Sequence, residues 1–265
     1  MTEATATLST HNRTTEEHVR MIKAPEGTDT WVPIPHGQLI DEVDMALHEM
    51  GLQIDPHSRQ FGLPRDGGQM FGVYHLLNHD SQMIDQSGKP LYSLALGLRN
   101  SIDKSLSAAV CFGSRVFVCD NLAMSGEETI ARKHTKFILR DLPVLVREAL
   151  GKFQLFKTYQ DKLFMNLSQT FIEQKQVHDV ICKAMRADAI PATWIPRVLN
   201  EWDNPSHGEF RMRTAWSLFN AVTEVMKPTF AKNPLVGSER TILLTQLFQQ
   251  EFVTNMENIN AVVPQ

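Results

Sequence analysis

Cysteine is scarce in this chain, with only Cys111, Cys119 and Cys182 among 265 residues. A sparse, odd set argues against a disulfide framework and suits a reducing compartment. No two of the three stand as a C-x-x-C pair. Long apolar runs are missing as well: none approaches the roughly 20 residues that span a bilayer. The first 15 residues are rich in Thr and Ala and hold no apolar stretch, which speaks against a signal peptide or anchor. Residues 1–18 are expected to form a disordered tail. The chain carries no G-x-x-x-x-G-K-[ST] or G-x-G-x-x-G loop, no G-x-S-x-G elbow and no H-E-x-x-H pair. These absences remove the sequence warrant for nucleotide hydrolysis, serine-hydrolase chemistry and a zincin site. No repeat of fixed period is present.

The charge that is present is unevenly placed. Net charge is −4. Residues 1–98 hold 6 Lys/Arg against 13 Asp/Glu, residues 99–158 hold 10 against 6, and residues 159–265 hold 10 against 11. Only the middle segment is basic. A solvated face is the ordinary reading of such a segment, and a polyanion-binding surface is the functional one.

Hydrophobic spacing predicts an α+β fold. Leu39, Val43, Ala46, Leu47 and Met50 recur at helical intervals over about 38–50, with Gly51 as the stop. Strands follow over about 52–120. Arg65-Asp66-Gly67-Gly68 is a turn signal, and Met70–Leu77 reads as the return strand. Tyr92, Leu94, Leu96 and Leu98 alternate with Ser93, Ala95, Gly97 and Arg99, predicting a strand with one buried face. Leu106–Phe112 and Arg115–Cys119 read as two further strands around Gly113-Ser114, giving four or five antiparallel strands in all. After Asn121 the spacing turns helical. One long helix is expected from a cap at Asp141 to Leu167, with Gly151 as its weak point. Helices around Val177–Met185, after Thr214 and over Ser238–Val253 complete the chain. The expected organisation is a tail over 1–18, an α+β core over 19–187, and a helical region over 188–265 packed on or beside it.

Catalytic motifs are weak. His75 and His79 are four apart, but they fall in a strand and a polar loop rather than on a helix face. Cys111, Cys119 and His134 could form a metal or nucleophile set, against the plainer reading of small core residues. Asp103, Asp120 and Glu127 follow strand ends, where a divalent cation can sit, but ion pairs with Lys104 and Arg132 account for them as well. No cofactor is expected. The basic polar loops stand out more. Arg99, Asn100, Lys104, Arg115, Arg132, Lys133 and Lys136 are the candidate phosphate contacts, because Arg, Lys and amide donors are what a phosphate backbone needs. Tyr92, Phe112 and Phe117 could stack bases, with core packing the competing reading.

Five stretches together resemble a known family. They are Trp31-Val32-Pro33-Ile34-Pro35-His36; Leu96-Gly97-Leu98-Arg99-Asn100-Ser101 with Asp103-Lys104-Ser105; Gly113-Ser114-Arg115-Val116-Phe117-Val118-Cys119-Asp120-Asn121-Leu122 with Ser125-Gly126-Glu127; Arg132-Lys133-His134-Thr135; and Asn220-Ala221-Val222-Thr223-Glu224. The family is phage- and plasmid-borne and is catalogued as a domain of unknown function, number nine hundred and thirty-two. The resemblance covers roughly residues 30–255. It implies a mobile element in the cytoplasm of a bacterial host and carries over no catalytic residue. The expected function is binding of single-stranded DNA by a homo-oligomer, as in annealing or recombination. The alternatives are a non-enzymatic antagonist or replication regulator that binds a host protein, and a metal-dependent nuclease.

Overall fold

The computed structural model describes residues 13–80, 83–84, 90–116, 121–131 and 134–253. Its centre is a six-stranded antiparallel sheet in simple meander order. The strands are β1 (Arg13–Thr14), β2 (Gln60–Gly62), β3 (Gln69–Asp80), β4 (Tyr92–Ser101), β5 (Ala108–Val116) and β6 (Asn121–Ala131). Around it lie α1 (Glu16–Met21), α2 (His36–Glu49), α3 (Ile138–Gly151), α4 (Phe153–Gln169), α5 (Gln174–Arg186), α6 (Ile195–Asp203), α7 (Ala215–Lys232) and α8 (Pro234–Phe252).

Alternation along β4 sets the two sides of the sheet. Tyr92, Leu94, Leu96 and Leu98 join the main core with Leu39 and Val43 of α2, Leu142 and Val146 of α3, and Phe153 and Phe164 of α4. The other set, including Ala95, meets Val73, Cys111, Leu122 and Met124 beneath Phe230 of α7. Both faces of β4 are therefore buried, where one exposed face was expected. The C-terminal helices share the main core: Trp216, Phe219 and Phe248 belong to the same cluster as the sheet. Phe164 ties the two parts together, edge-on to Tyr92 at 5.0 Å and 4.6 Å from Trp216. Such ring pairs add about 0.5–1.5 kcal/mol each beyond their buried area.

Several expectations need correction. Residues 13–18 are not tail: Arg13 and Thr14 pair with Gly62 and Phe61, and Thr15 caps α1 by accepting from the His18 N–H. Residues 1–12 lie outside the described residues. β5 runs unbroken through Gly113-Ser114 instead of turning there. Gly113 is needed because β6 passes so close that a Cβ would press on the Ala123 carbonyl and come 2.7 Å from Met124 Sδ. β6 occupies a stretch read as the start of the helical half. The long helix is two, α3 and α4, meeting at Lys152, and Asp141 sits inside α3 rather than capping it. Arg65-Asp66-Gly67 does turn between β2 and β3, with positive φ at all three residues. Thr214 caps α7, accepting from the Ser217 N–H at 3.2 Å.

Two glycines test these close approaches. A Cβ on Gly237 would lie 2.6 Å from Phe230 Cα, where α7 and α8 cross. Gly113→Ala and Gly237→Ala should each cost about 1–3 kcal/mol of unfolding free energy in urea titrations, as overpacking does. Gly208→Ala, with nothing within 4 Å, should stay within about 0.5 kcal/mol.

Candidate nucleic-acid interface

One end of the sheet gathers most of the motif residues. The β4–β5 turn spans Ile102–Ser107, and Ala108 pairs with Ala131 at the end of β6. Residues 132 and 133 follow directly, and His134 to Lys136 then lead into α3. The extended segment Trp31–Pro35 crosses this same end. The Val32 N–H donates to the His134 carbonyl at 3.1 Å. The Ile34 N–H donates to His134 Nδ1 at 3.4 Å. On its other side, the Ile34 carbonyl accepts from Asn100 Nδ2 at 2.8 Å.

Asn100 Nδ2 also lies 3.0 Å from His36 Nδ1. Bonding to the Ile34 carbonyl fixes which end of the amide is nitrogen, so His36 Nδ1 must accept. The proton of the ring then sits on Nε2, which donates to the Gly67 carbonyl at 2.9 Å. His134 likewise needs its Nδ1 lone pair for Ile34. Burial of both imidazoles lowers their pKa from the ordinary value; at His36 the Gly67 bond and the Asp103 charge oppose this without reversing it.

The turn is braced by Asp103. Its Oδ1 accepts from the Ser105 N–H at 3.0 Å and from the Ser105 hydroxyl, and Ser105 Oγ in turn accepts from Gln69 Nε2 at 2.7 Å. Arg65 Nη1 stands 3.7 Å from Asp103 Oδ2. Burial would raise the pKa of Asp103, but the Ser105 hydrogen bonds and Arg65 override it and hold the carboxyl below its usual range. Lys104 takes a positive φ of 66° at the turn and lays its Nζ 4.5 Å above the Trp31 ring. Trp31 in turn lies parallel to His134 at 6.4 Å. Three residues past His134, the half-exposed Phe137 carries Lys136 Nζ and Arg140 Cζ, each 4.7 Å from its ring.

The candidate contacts divide accordingly. Lys104 and Lys136 are exposed at this end. Arg99 lies there too, partly buried, with Nη2 3.1 Å from Ser107 Oγ. Asn100 is a correction: it is fully buried and serves the core, because neighbours in a strand point to opposite faces. Arg115 is at the opposite end. It pairs with Ser93 while Arg99 pairs with Ala109, six residues along the ladder and so roughly 20 Å away. Arg132 and Lys133 lie outside the described residues, as do Phe117, Cys119, Asp120 and the side chains of His79 and Glu127. Tyr92 and Phe112 are core residues. Among the described residues no three His, Cys, Asp or Glu side chains are grouped to hold a metal ion. Trp31, Phe137 and Arg140 went unassigned in the sequence. The adjacency of an aromatic and two cations in Lys136-Phe137-x-x-Arg140 was the available signal.

The two histidines predict a pH dependence. Each is neutral when folded but takes a proton at its ordinary pKa of about 6.5 when unfolded. The unfolded state then binds more protons, so stability is complete above that pH and falls below it. Between pH 7.5 and 5.5, unfolding free energy should fall by up to about 1.4 kcal/mol per pH unit for each histidine. His36→Gln and His134→Gln should each remove part of that slope in urea titrations across the range. An unchanged slope in both would contradict the neutral assignment.

No helix in the described residues is long and apolar enough to cross a membrane. The chain matches no curated protein and no solved structure. A family model does match, over residues 27–231, which stops short of the expected residue 255. That span runs from just before Trp31 through β6 and α3 to the end region of α7, and includes every motif at this end of the sheet. The chain belongs to the family described as Domain of unknown function (DUF932).

Proposed function

We propose that this end of the sheet binds single-stranded DNA. The observation that carries the proposal is the pairing of a part-exposed and an exposed ring with cations at this end: Lys104 over Trp31, and Lys136 and Arg140 over Phe137. Single strands are held by such combinations, with bases stacking on rings and cations following the phosphates. Phe137 is within roughly 11 Å of His134 by chain length alone, a spacing of a few nucleotides' reach at most. The hydrogen bonds of His134 and Asn100 to Val32 and Ile34 fix the backbone next to Trp31, which lowers the ordering entropy lost on binding. In its narrower form the reading makes the chain an annealing or recombination mediator of a mobile element, with several copies assembling along one strand.

Fluorescence anisotropy with short oligonucleotides tests it. Affinity should fall with salt, with a log–log slope of about −0.7 per phosphate contacted. Trp31→Ala and Phe137→Ala should each weaken binding by about 1–3 kcal/mol. Charge reversal at Arg132 and Lys133 should weaken it further and flatten the slope, whereas Arg115→Ala, at the far end, should change it little. Absence of binding at ~50 mM salt would sink the proposal. A stoichiometric host protein recovered from nuclease-treated lysate, with no DNA affinity, would instead favour the protein-binding alternative.

A further inference from the structure

A second cluster lies among the C-terminal helices. Trp194 closes the turn that enters α6. Arg197, one turn on, sets its guanidinium carbon 5.4 Å from the Trp194 ring centre. Arg240, from α8, sets its own at the same 5.4 Å. Two cations from separate helices thus converge on one indole.

Neither arginine has a carboxylate partner among the described residues. The acid four residues after Arg197, Glu201, is occupied: its oxygens accept from the Ser206 N–H at 2.7 Å and the Ser206 hydroxyl at 2.8 Å. Glu239 is adjacent to Arg240 on the helix, and side chains one residue apart do not face each other. Nη1 of Arg240 is enclosed and has no hydrogen-bond partner among the described residues. A buried guanidinium donor without an acceptor is costly, and two like charges held at one ring add to that cost. An anion beside the two guanidinium groups would offset the repulsion between them.

We propose that Arg197, Arg240 and Trp194 form a phosphate-binding site. A tetrahedral phosphate presents oxygens to both guanidinium forks at once, whereas a single carboxylate fills one. The Trp194 ring, 5.4 Å from each guanidinium carbon, restrains both side chains before the ligand arrives. The site is independent of the DNA-binding reading, and Arg240 lies beyond the family match at residue 231.

Thermal unfolding of the full chain tests it, in inorganic phosphate, in a nucleoside monophosphate, and in chloride at matched ionic strength. Phosphate should raise Tm by about 2–4 °C over chloride, the shift a ligand at several times its Kd gives in a chain of this size. Arg197→Met and Arg240→Met should each abolish the shift. In chloride, Arg197→Met should unfold as the parent does, because Arg197 is exposed. Arg240→Met should be no less stable, since it removes a donor that has no acceptor. Arg240→Lys, which keeps charge but loses the fork, should retain only part of the shift. A larger shift with the monophosphate assigns the site to a nucleotide, and an equal shift assigns it to the phosphate group alone. No shift in the parent chain, or a shift that survives in both Met variants, overturns the proposal.

Discussion

Ile34 is held from both directions by buried polar side chains. Its N–H reaches the lone pair of one imidazole, and its carbonyl accepts from an amide nitrogen that also serves a second imidazole. All of these groups are buried, so each bond replaces a desolvation penalty and not merely a bond to water. The segment Trp31–Pro35 thereby becomes a fixed part of the sheet's end. The position of Trp31, the support under Lys104 and the approach of residues 134–137 to the β4–β5 turn all follow from that docking.

The same residues explain why motifs scattered over a hundred positions belong together. Trp31–His36, Asn100–Ser105 and Arg132–Thr135 are far apart in sequence. A meander sheet nevertheless brings the end of β4, the start of β5 and the end of β6 to one edge. The remaining strand motif, around Gly113–Arg115, runs to the opposite end. A basic middle segment is thus split by topology into two regions, and at one of them Trp31 and the exposed Phe137 lie beside described cations.

Much of the architecture was legible in the order of residues. Helical spacing in Leu39–Leu47, strict alternation in Tyr92–Leu98 and the Thr214 cap each rest on local geometry, and local geometry is what sequence encodes most directly. Failures occurred where tertiary contact overrides local preference. Gly113-Ser114 carries a turn signal, yet it lies mid-strand because a neighbouring strand leaves no space for a Cβ. β6 holds Ser125-Gly126-Glu127-Glu128, poor strand formers by composition, and is strand because β5 pairs along its length. Asn100 looked like a surface donor, since nothing in its neighbours announces a buried histidine 64 residues earlier. Trp31 and Phe137 were visible as residues, but the part-exposure of the one and the exposure of the other were not, because accessibility is a property of the whole fold.

The two prolines around Ile34 have a further consequence. Val32 and Ile34 offer N–H groups to His134, while Pro33 and Pro35 have none to offer. Were the segment to slide by one residue, a proline nitrogen would stand where His134 requires a hydrogen. Donor and blank alternate along the segment like teeth and gaps, and only one setting engages. A short stretch without a helix or a named strand of its own is therefore keyed against slippage by composition alone.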